Sequence, residues 1–348
     1  MVKSENTLSV DVGFGYEKAI YNSPKNRIQF PSIVKKVAAF ENSIIGGSED
    51  YQVSIKEEKD SEITYAYVGV AGLTHRGTRR WEDKGALDIE SIKLLVCTAA
   101  VLLDAASDSN LCVGLPLSYY NDLEIREKLR NAFRSMKAFV KVGKKEKEVC
   151  FSDIKVYAQG AGAYFSSLFN IDGTIKDEKL LSESIAIIDI GFRTFDYLYV
   201  VMGENGHVSL SELCGSLEEY GMNRALQITA KNINTKYSAS VSANEVEKAI
   251  FWNSYSGKLK NPDVAIAPYF EAAKKELVQE IVSELGRKWQ DSVKDLAAII
   301  VTGGGGVELF ELIKEQFPKA VLQNDANFAN AVGYATKYNL QKALKKGI

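Results

Sequence analysis

The sequence has very little histidine and few cysteines. Among its 348 residues there are two histidines and four cysteines. Two histidines, His75 and His207, are too few for the usual zinc sites and histidine-based catalytic triads. The cysteines lack paired spacing and stand in mostly apolar surroundings, which predicts buried, reduced thiols in a reducing compartment. These four positions are Cys97, Cys112, Cys150 and Cys214.

The chain also lacks an excess of charge of either sign and a long hydrophobic run. Its 43 basic and 45 acidic residues leave a formal net charge of −2. Because the chain has no excess of basic residues, we do not expect it to bind nucleic acid directly. Any contact with DNA would then be made through another protein. Without a long apolar segment we expect neither a signal peptide nor a membrane span. The sequence therefore predicts a cytoplasmic protein.

Two common nucleotide-binding motifs are missing. The chain contains no Gly-x-x-x-x-Gly-Lys-Ser/Thr, which argues against a Walker-type NTPase. No Gly-x-Gly-x-x-Gly opens a helix with an acid about twenty residues later, which argues against a dinucleotide-binding fold. With 348 residues, 46% of them hydrophobic, the chain is long enough for two domains.

The most informative feature present is a repeat. Residues 8–18 and 186–196 each form a short apolar run that ends in an aspartate with a glycine two positions later. Either copy alone would be an ordinary hairpin turn. An acid at a strand end beside a glycine turn can hold a hydrated divalent cation, while backbone amides of the turn face anionic oxygens. Two copies half a chain apart predict a phosphate clamp built on Asp11 and Asp189.

Two further segments carry polar or flexible residues next to predicted strands. Residues 297–302 form a buried-type strand that runs into four glycines, Gly303 to Gly306, which predicts a flat backbone surface beside a nucleoside. Gln159 follows the strand-like residues 154–157 and precedes Gly160, so it stands at a helix start that can approach a ligand or another domain.

Periodicity predicts the remaining elements coarsely. We expect a basic surface loop at residues 74–81 and a charged loop at 49–62, where Lys56-Glu-Glu-Lys-Asp60 is solvated. A turn is expected at residues 22–26. The other expected elements are strands within 8–34, 110–113, 138–157 and 185–201, and helices near 89–106, 121–136, 216–234, 243–253 and 264–294.

The order of these segments resembles the actin, sugar-kinase and heat-shock-chaperone ATPase superfamily. Within it the chain is most similar to ParM-type plasmid segregation proteins and archaeal actin homologues, through residues 114–120, 158–160 and 327–334. The resemblance implies an α/β, actin-like ATPase fold of two ribonuclease-H-like domains with a nucleotide cleft between them. Domain I would comprise residues 1–159 plus about 325–348, and domain II residues 160–324.

The resemblance also implies roles for individual residues. Gln159 would orient the attacking water, and Asp11 and Asp189 would hold Mg²⁺ largely through water, with Asp189 also catalytic and Asp196 in support. The implied phosphate-binding residues are Gly13, Phe14, Gly15, Tyr16, Lys18, Gly191, Phe192, Arg193 and Thr194. The implied nucleoside-binding residues are Gly303, Gly304, Gly305, Glu245 and Lys248, and the hinge residues are Gly160, Asn330 and Gly333.

By this resemblance the chain would hydrolyse ATP, or possibly GTP as the alternative nucleotide, with Mg²⁺ and polymerise into filaments. The filament would move plasmid DNA through a ParR-like adaptor bound to the plasmid centromere. Two alternatives stay open at this point. One is a small-molecule kinase of the sugar or acetate type, which needs a base for the acceptor hydroxyl. The other is a chaperone-like ATPase that does not polymerise.

Overall fold

The computed structural model describes residues 6–40, 51–58, 62–79, 87–251, 257–260 and 263–345. The chain forms two compact units. The first comprises Met1–Lys179 together with Asn327–Ile348, and the second comprises Leu180–Ala326. Of the basic loop predicted at residues 74–81, Arg80 and Trp81 lie outside the described residues. Within the described part, no helix is both long and apolar enough to cross a bilayer.

The elements follow one another in a mixed α/β order. The strands are β1 Thr7–Val12, β2 Tyr16–Tyr21, β3 Ser23–Pro31, β4 Ile33–Val37, β5 Gln52–Glu57, β6 Thr64–Val68, β7 Thr78–Arg79, β8 Ser109–Leu115, β9 Lys137–Val142, β10 Lys145–Ala158, β11 Ile185–Ile190, β12 Thr194–Gly203, β13 Gly206–Ser209, β14 Gly215–Glu218, β15 Lys258–Lys260, β16 Asp263–Ala265, β17 Ala298–Thr302 and β18 Ala320–Leu322. The helices are α1 Gly69–Thr74, α2 Ile89–Leu102, α3 Leu117–Tyr120, α4 Leu123–Arg134, α5 Ala161–Leu168, α6 Met222–Tyr237, α7 Ala243–Phe251, α8 Ala267–Trp289, α9 Gly304–Gln316 and α10 Ala329–Lys345.

The first unit is built on a sheet with the strand order β3-β2-β1-β8-β10-β9-β5-β6-β4-β7. At its centre β1, β8 and β10 run parallel, and β2 folds back antiparallel to β1. Every residue of β1 and β8 is buried. Burial of whole strands is expected of parallel strands covered on both faces, and in β1 it includes the polar residues Thr7, Ser9 and Asp11.

The second unit repeats this arrangement. Its sheet has the order β13-β12-β11-β17-β18, with β14 also paired to β12. Strand β11 is fully buried, runs parallel to β17 and forms an antiparallel hairpin with β12. The register of the two hairpins is equivalent, because Asp11 lies opposite Lys18 and Asp189 lies opposite Asp196. The sequence repeat thus corresponds to the same hairpin in each unit.

Two local predictions in the first unit were wrong. The predicted turn at residues 22–26 is a single residue, Asn22, with φ of 59°, and Pro24 and Asn26 already belong to β3. Strand β5 occupies much of the predicted charged loop at 49–62, because Val53 and Ile55 alternate into the core. Residues 49, 50 and 59–61 of that loop lie outside the described residues.

The helix expected at 216–234 begins only at Met222. Residues 215–218 instead form β14, which pairs with β12. The helix predicted at 264–294 ends at Trp289, and residues 290–295 continue as a short 3₁₀ helix. Of the helix predicted at 243–253, residues 252 and 253 lie outside the described residues. The loop predicted at 74–81 contains β7, Thr78–Arg79, which pairs with β4. The other predicted helices and strands agree with the structure within a few residues.

The compact units differ from the predicted domain division at one boundary. Residues 160–179, expected in the second domain, pack with the first unit, because α5 lies against α10. The contact is close at two glycines. A Cβ added at Gly333 would lie 1.7 Å from the carbonyl oxygen of Gly162, and one added at Gly162 would lie 2.6 Å from the carbonyl oxygen of Asn330. Only glycines allow these two helices to approach so closely.

Replacing Gly333 by alanine should therefore separate α5 from α10. We expect a loss of about 3 kcal/mol in the free energy of unfolding, measured by urea denaturation, because overpacking a rigid contact is destabilising. The matched control is Gly286→Ala in α8, where an added Cβ meets no atom within 4 Å. That substitution should leave stability unchanged or raise it by about 0.5–1 kcal/mol. Equal effects of the two substitutions would contradict the packing argument.

Candidate functional site

In the first unit, Asp11 stands near the end of β1, where the chain turns toward β2. The amide of Gly13 donates a hydrogen bond of 2.9 Å to the carbonyl oxygen of Asp11, which makes the turn very tight. A Cβ at Gly13 would lie 2.6 Å from the carbonyl oxygen of Tyr16. The turn therefore requires glycine at position 13, as the sequence motif indicated.

Three of the predicted site residues meet at this turn. The side chain of Asp11 is almost fully buried, with 4% of the residue exposed. Gln159 Nε2 donates a hydrogen bond of 2.8 Å to Asp11 Oδ1, and Lys18 Nζ lies 3.9 Å from Asp11 Oδ2. An amide donor and a cation thus compensate the buried carboxylate. The Oε1 atom of Gln159 remains as an acceptor that can orient a water molecule.

Ser32 supports this turn and was missed in the sequence analysis. It follows β3 and is fully buried. Its hydroxyl donates a 2.6 Å hydrogen bond to the carbonyl oxygen of Gly13, and its amide donates one of 3.0 Å to Gly15. Both carbonyls of the turn are thereby held from the protein side. A lone serine between two strands carries no sequence signal for this role.

Asn330 fixes the position of Gln159 through the start of α5. Gly160 precedes that helix with φ of 77° and has no side chain that could cap it. The side-chain oxygen of Asn330 accepts hydrogen bonds from the amides of Gly160, at 3.0 Å, and Ala163, at 3.1 Å. Asn330 on α10 therefore supplies the N-cap that α5 lacks. The hinge role of Gly160, Asn330 and Gly333 stays a prediction.

In the second unit, Asp189 occupies the equivalent place near the end of β11. Here the amide of Gly191 donates a 2.9 Å hydrogen bond to the carbonyl oxygen of Thr194. Asp189 and Asp196 are directly opposite each other in the hairpin and are 5% and 2% exposed. Two carboxylates at such a pair repel each other unless donors or a cation compensate their charge. The roles of Asp189 in holding Mg²⁺ and of Asp196 in supporting it stay predictions.

The first turn of α6 holds the second loop. The amides of Gly221, Met222 and Asn223 donate hydrogen bonds of 3.0, 3.1 and 2.7 Å to the carbonyl oxygens of Arg193, Gly191 and Phe192. A Cβ at Gly221 would lie 2.5 Å from the carbonyl group of Phe192, so this position also requires glycine. Gly221 was missed because a single glycine before a helix is common in any sequence.

The structure places Arg193 against acidic residues of its own unit. Its Nη2 lies 2.8 Å from Glu218 Oε2, and its Nε lies 3.1 Å from Glu219 Oε1. These ion pairs link the second loop to β14 and the residue after it. The phosphate-binding role of Arg193 stays a prediction, as do those of Phe14, Tyr16, Phe192 and Thr194.

The glycine run brings the start of α9 against the end of β11. Gly303 has φ of 82°, and a Cβ there would lie 2.5 Å from Asp189 Oδ1. A Cβ at Gly305 would lie 2.6 Å from Ile190 Cγ2. Helix α9 begins at Gly304, so the amides of its first turn, which have no partner within the helix, lie beside the second loop. A helix N-terminus favours anionic groups.

Two of the predicted nucleoside-binding residues, Glu245 and Lys248, lie on α7. Glu245 accepts hydrogen bonds from the amide and hydroxyl of Ser242, at 2.9 and 2.7 Å, and these bonds lower the pKa of its carboxyl group. This is the capping box expected from the sequence. Lys248 lies in the last turn of the same helix. Nucleoside binding by Glu245 and Lys248 stays a prediction.

Comparison with known families assigns both halves of the chain. Residues 9–162 match the family described as the N-terminal domain of actin-like proteins, and residues 187–315 match the C-terminal domain of archaeal, MreB-like actin homologues. None of the curated proteins is similar to the chain in sequence.

Solved structures of three proteins agree with this assignment. A 15-stranded ParM filament from Clostridium botulinum matches at 23% identity and a TM-score of 0.76, over 96% of this chain and 99% of that chain. A non-polymerisable quadruple mutant of pCBH ParM matches at 22% identity and a TM-score of 0.72, over 97% of this chain and 99% of that chain. An archaeal actin homologue in complex with ADP matches at 19% identity and a TM-score of 0.67, over 95% of this chain and 98% of that chain.

The two repeated hairpins and the sheets that carry them define an actin-like fold of two α/β domains. The fold predicted from the sequence is thereby confirmed. Since the two family matches together extend over most of the chain, the chain belongs to the actin-like proteins.

Replacing Asn330 by alanine should loosen the helix that follows Gln159. Two buried amides, of Gly160 and Ala163, would lose their acceptor, and we expect a loss of about 1–3 kcal/mol in the free energy of unfolding. Asn330→Asp keeps the acceptor oxygen and is the control, with the smaller loss in urea denaturation. The N-cap assignment is rejected by equal losses from both substitutions.

Proposed function

We propose that the chain binds ATP and Mg²⁺ and hydrolyses the nucleotide. The observation that supports this most strongly is the repetition of one hairpin, in which a buried aspartate precedes a glycine turn braced by hydrogen bonds. Asp11 and Asp189 are both nearly inaccessible to solvent, yet each ends a central strand where ligands commonly bind in α/β folds. Two such acids are the expected donors for a hydrated magnesium ion.

The residues around Asp11 and Asp189 fit a nucleoside triphosphate. The glycine turns offer backbone amides to phosphate oxygens, as expected for Gly13, Gly15 and Gly191. Lys18 adds a point charge next to Asp11. The first turn of α9 offers further amides, and Gly304 adds no side chain there. When bound, magnesium would neutralise charge on the phosphate oxygens.

Gln159 is the residue best placed to position water. Its amide group is held by Asp11 on one side, and its backbone amide donates a 2.7 Å hydrogen bond to the carbonyl oxygen of Leu115. Both bonds limit the rotation of a side chain that is only 6% exposed. Hydrolysis of a phosphoanhydride needs positioning and charge neutralisation rather than a covalent nucleophile. The buried amide of Gln159 supplies the positioning.

We further propose that the protein polymerises in a nucleotide-dependent manner and segregates plasmid DNA in the cytoplasm through a ParR-like adaptor. The likeness to a ParM filament over nearly the whole length of both chains supports self-assembly. The near-neutral net charge supports an adaptor, because the chain has no general excess of basic residues for DNA. In this proposal the predicted domain I and domain II each contribute one hairpin to nucleotide binding.

Substitution of Gln159 by alanine should slow phosphate release about 10- to 100-fold, because the attacking water would lose its orienting group. ATP affinity, measured by fluorescence titration, should change by less than about twofold, since Gln159 does not contact the nucleoside. Gln279→Ala on the exposed face of α8 is the matched control and should leave turnover unchanged. Unchanged turnover in the Gln159 variant would remove this residue from the mechanism.

Asp11→Asn and Asp189→Asn should each reduce magnesium-dependent turnover by at least about 100-fold, because the charge that holds the metal is removed. Light scattering after addition of ATP should rise for the wild-type chain. For both variants the scattering should stay well below the wild-type level. Asp263→Asn, at an exposed position of β16, is the control. Full turnover in both variants would refute the role of these two acids. If electron microscopy shows no filaments in wild-type samples with ATP, the proposed polymerisation is refuted.

A further inference from the structure

A groove in the first unit carries a concentration of positive charge that the proposed nucleotide site does not use. It consists of two adjoining cavities of about 350 and 410 Å³ that share Arg130 and Lys155 in their linings. We call it the basic groove and define it by its cationic lining residues. These are Arg130, Arg134, Lys155, Lys337 and Lys345.

Among the residues that the structure describes, two of these five cations have an acidic partner, and three do not. Asp153 lies 3.1 Å from Lys155, and Glu127 pairs with Arg130. Arg134 donates a hydrogen bond to the neutral side chain of Asn131. Within the described part of the chain, neither Lys337 nor Lys345 forms a salt bridge. The groove therefore presents a net positive charge to solvent.

The ammonium group of Lys337 lies close to two aromatic rings. Its ammonium nitrogen lies 5.2 Å from the ring centre of Tyr157 and 4.9 Å from that of Phe165. Burial lowers the pKa of this ammonium group. At the rim, Leu344 is 76% exposed, which leaves a large apolar side chain next to the cations. Such a combination fits a partner surface that is acidic and partly apolar.

The chain itself carries a surface of this kind on α9, in the second unit. Glu308, Glu311 and Glu315 are exposed and lie on one helical face, because they are spaced by three and four residues. We call them the acidic stripe. Among the described residues none of the three forms a salt bridge. Val307, 42% exposed, adds an apolar side chain beside the stripe.

Helix α8 of the second unit differs from α9, because three of its four glutamates form ion pairs. On α8, Glu271 and Glu284 pair with Lys274 and Arg287, and Glu280 lies 3.0 Å from an arginine of α6. On α9, Lys314 donates its hydrogen bonds to the carbonyl oxygens of residues 318 and 320 at the end of the helix. The acidic stripe therefore keeps its negative charge.

We infer that the basic groove of one copy binds the acidic stripe of a second copy. This inference rests on the proposed self-assembly and names its contact. The lengths match, because the seven residue steps from Glu308 to Glu315 and the eight from Lys337 to Lys345 span about 10 and 12 Å of helix. The two surfaces are different patches of one chain, so the contact is heterologous and can repeat without closing into a dimer.

Two charge-reversed variants test this contact. The stripe variant carries Glu308→Lys, Glu311→Lys and Glu315→Lys, and the groove variant carries Arg134→Glu, Lys155→Glu and Lys345→Glu. Each variant alone places like charges at the contact, so its critical concentration for assembly should rise at least about tenfold. A 1:1 mixture should assemble again near the wild-type concentration, because each groove then meets a stripe of opposite charge.

The mixture also controls for folding, since two misfolded variants would not rescue each other. A second control carries Glu146→Lys, Glu178→Lys and Glu204→Lys at exposed positions and matches the stripe variant in net charge. It should assemble within about threefold of wild type, since exposed charges remote from a contact are largely screened. Wild-type behaviour of either test variant, a mixture that does not recover, or an equal defect in the control would overturn the inference.

A nucleotide-free measurement separates this inference from the proposed function. Analytical ultracentrifugation of the mixed variants at low salt should show association that neither variant shows alone. The association should weaken at high salt, because screened charges attract less. If wild-type chains form no filaments with ATP, the proposed polymerisation fails, yet association of the mixed variants would still support the contact between groove and stripe. Absence of association in the mixture would overturn it.

Discussion

A buried carboxylate at the end of a central strand must be compensated, and much of this structure serves that requirement. Asp11 is compensated by the amide of Gln159 and by Lys18, so the start of α5 has to lie close to β1. That position in turn depends on Asn330, which caps α5 from α10. A single buried charge therefore links the hairpin to two helices from distant parts of the chain.

The two hairpins share backbone geometry but differ in charge. At the position of Lys18 in the first unit, the second unit has Asp196, so one hairpin carries an acid with a cation and the other carries two acids. This asymmetry fits a proposed task in which the first hairpin faces phosphate oxygens and the second holds more of the metal charge. Duplicated hairpins of identical charge would not divide the work in this way.

Surface charge can be interpreted by the same argument. The chain is nearly neutral as a whole, with a net charge of −2, but cations are concentrated in the basic groove and acids in the acidic stripe. Segregated charge on one chain favours contacts between copies, because every copy then carries both partners. Net charge argues against general DNA binding, but it cannot reveal such a distribution.

The sequence by itself determined the strands that carry Asp11 and Asp189 and the glycine turns that follow them, because these depend on local apolar patterns and on a turn at Gly13 that is too tight for a side chain. The actin-like fold was implied by the resemblance of the whole order of motifs to a known family. Only the tertiary structure decided that Ser32 braces the first turn, that Asn330 caps α5 and that residues 160–179 pack with the first unit. Such contacts join residues far apart in the chain, and their positions depend on packing that no short segment encodes.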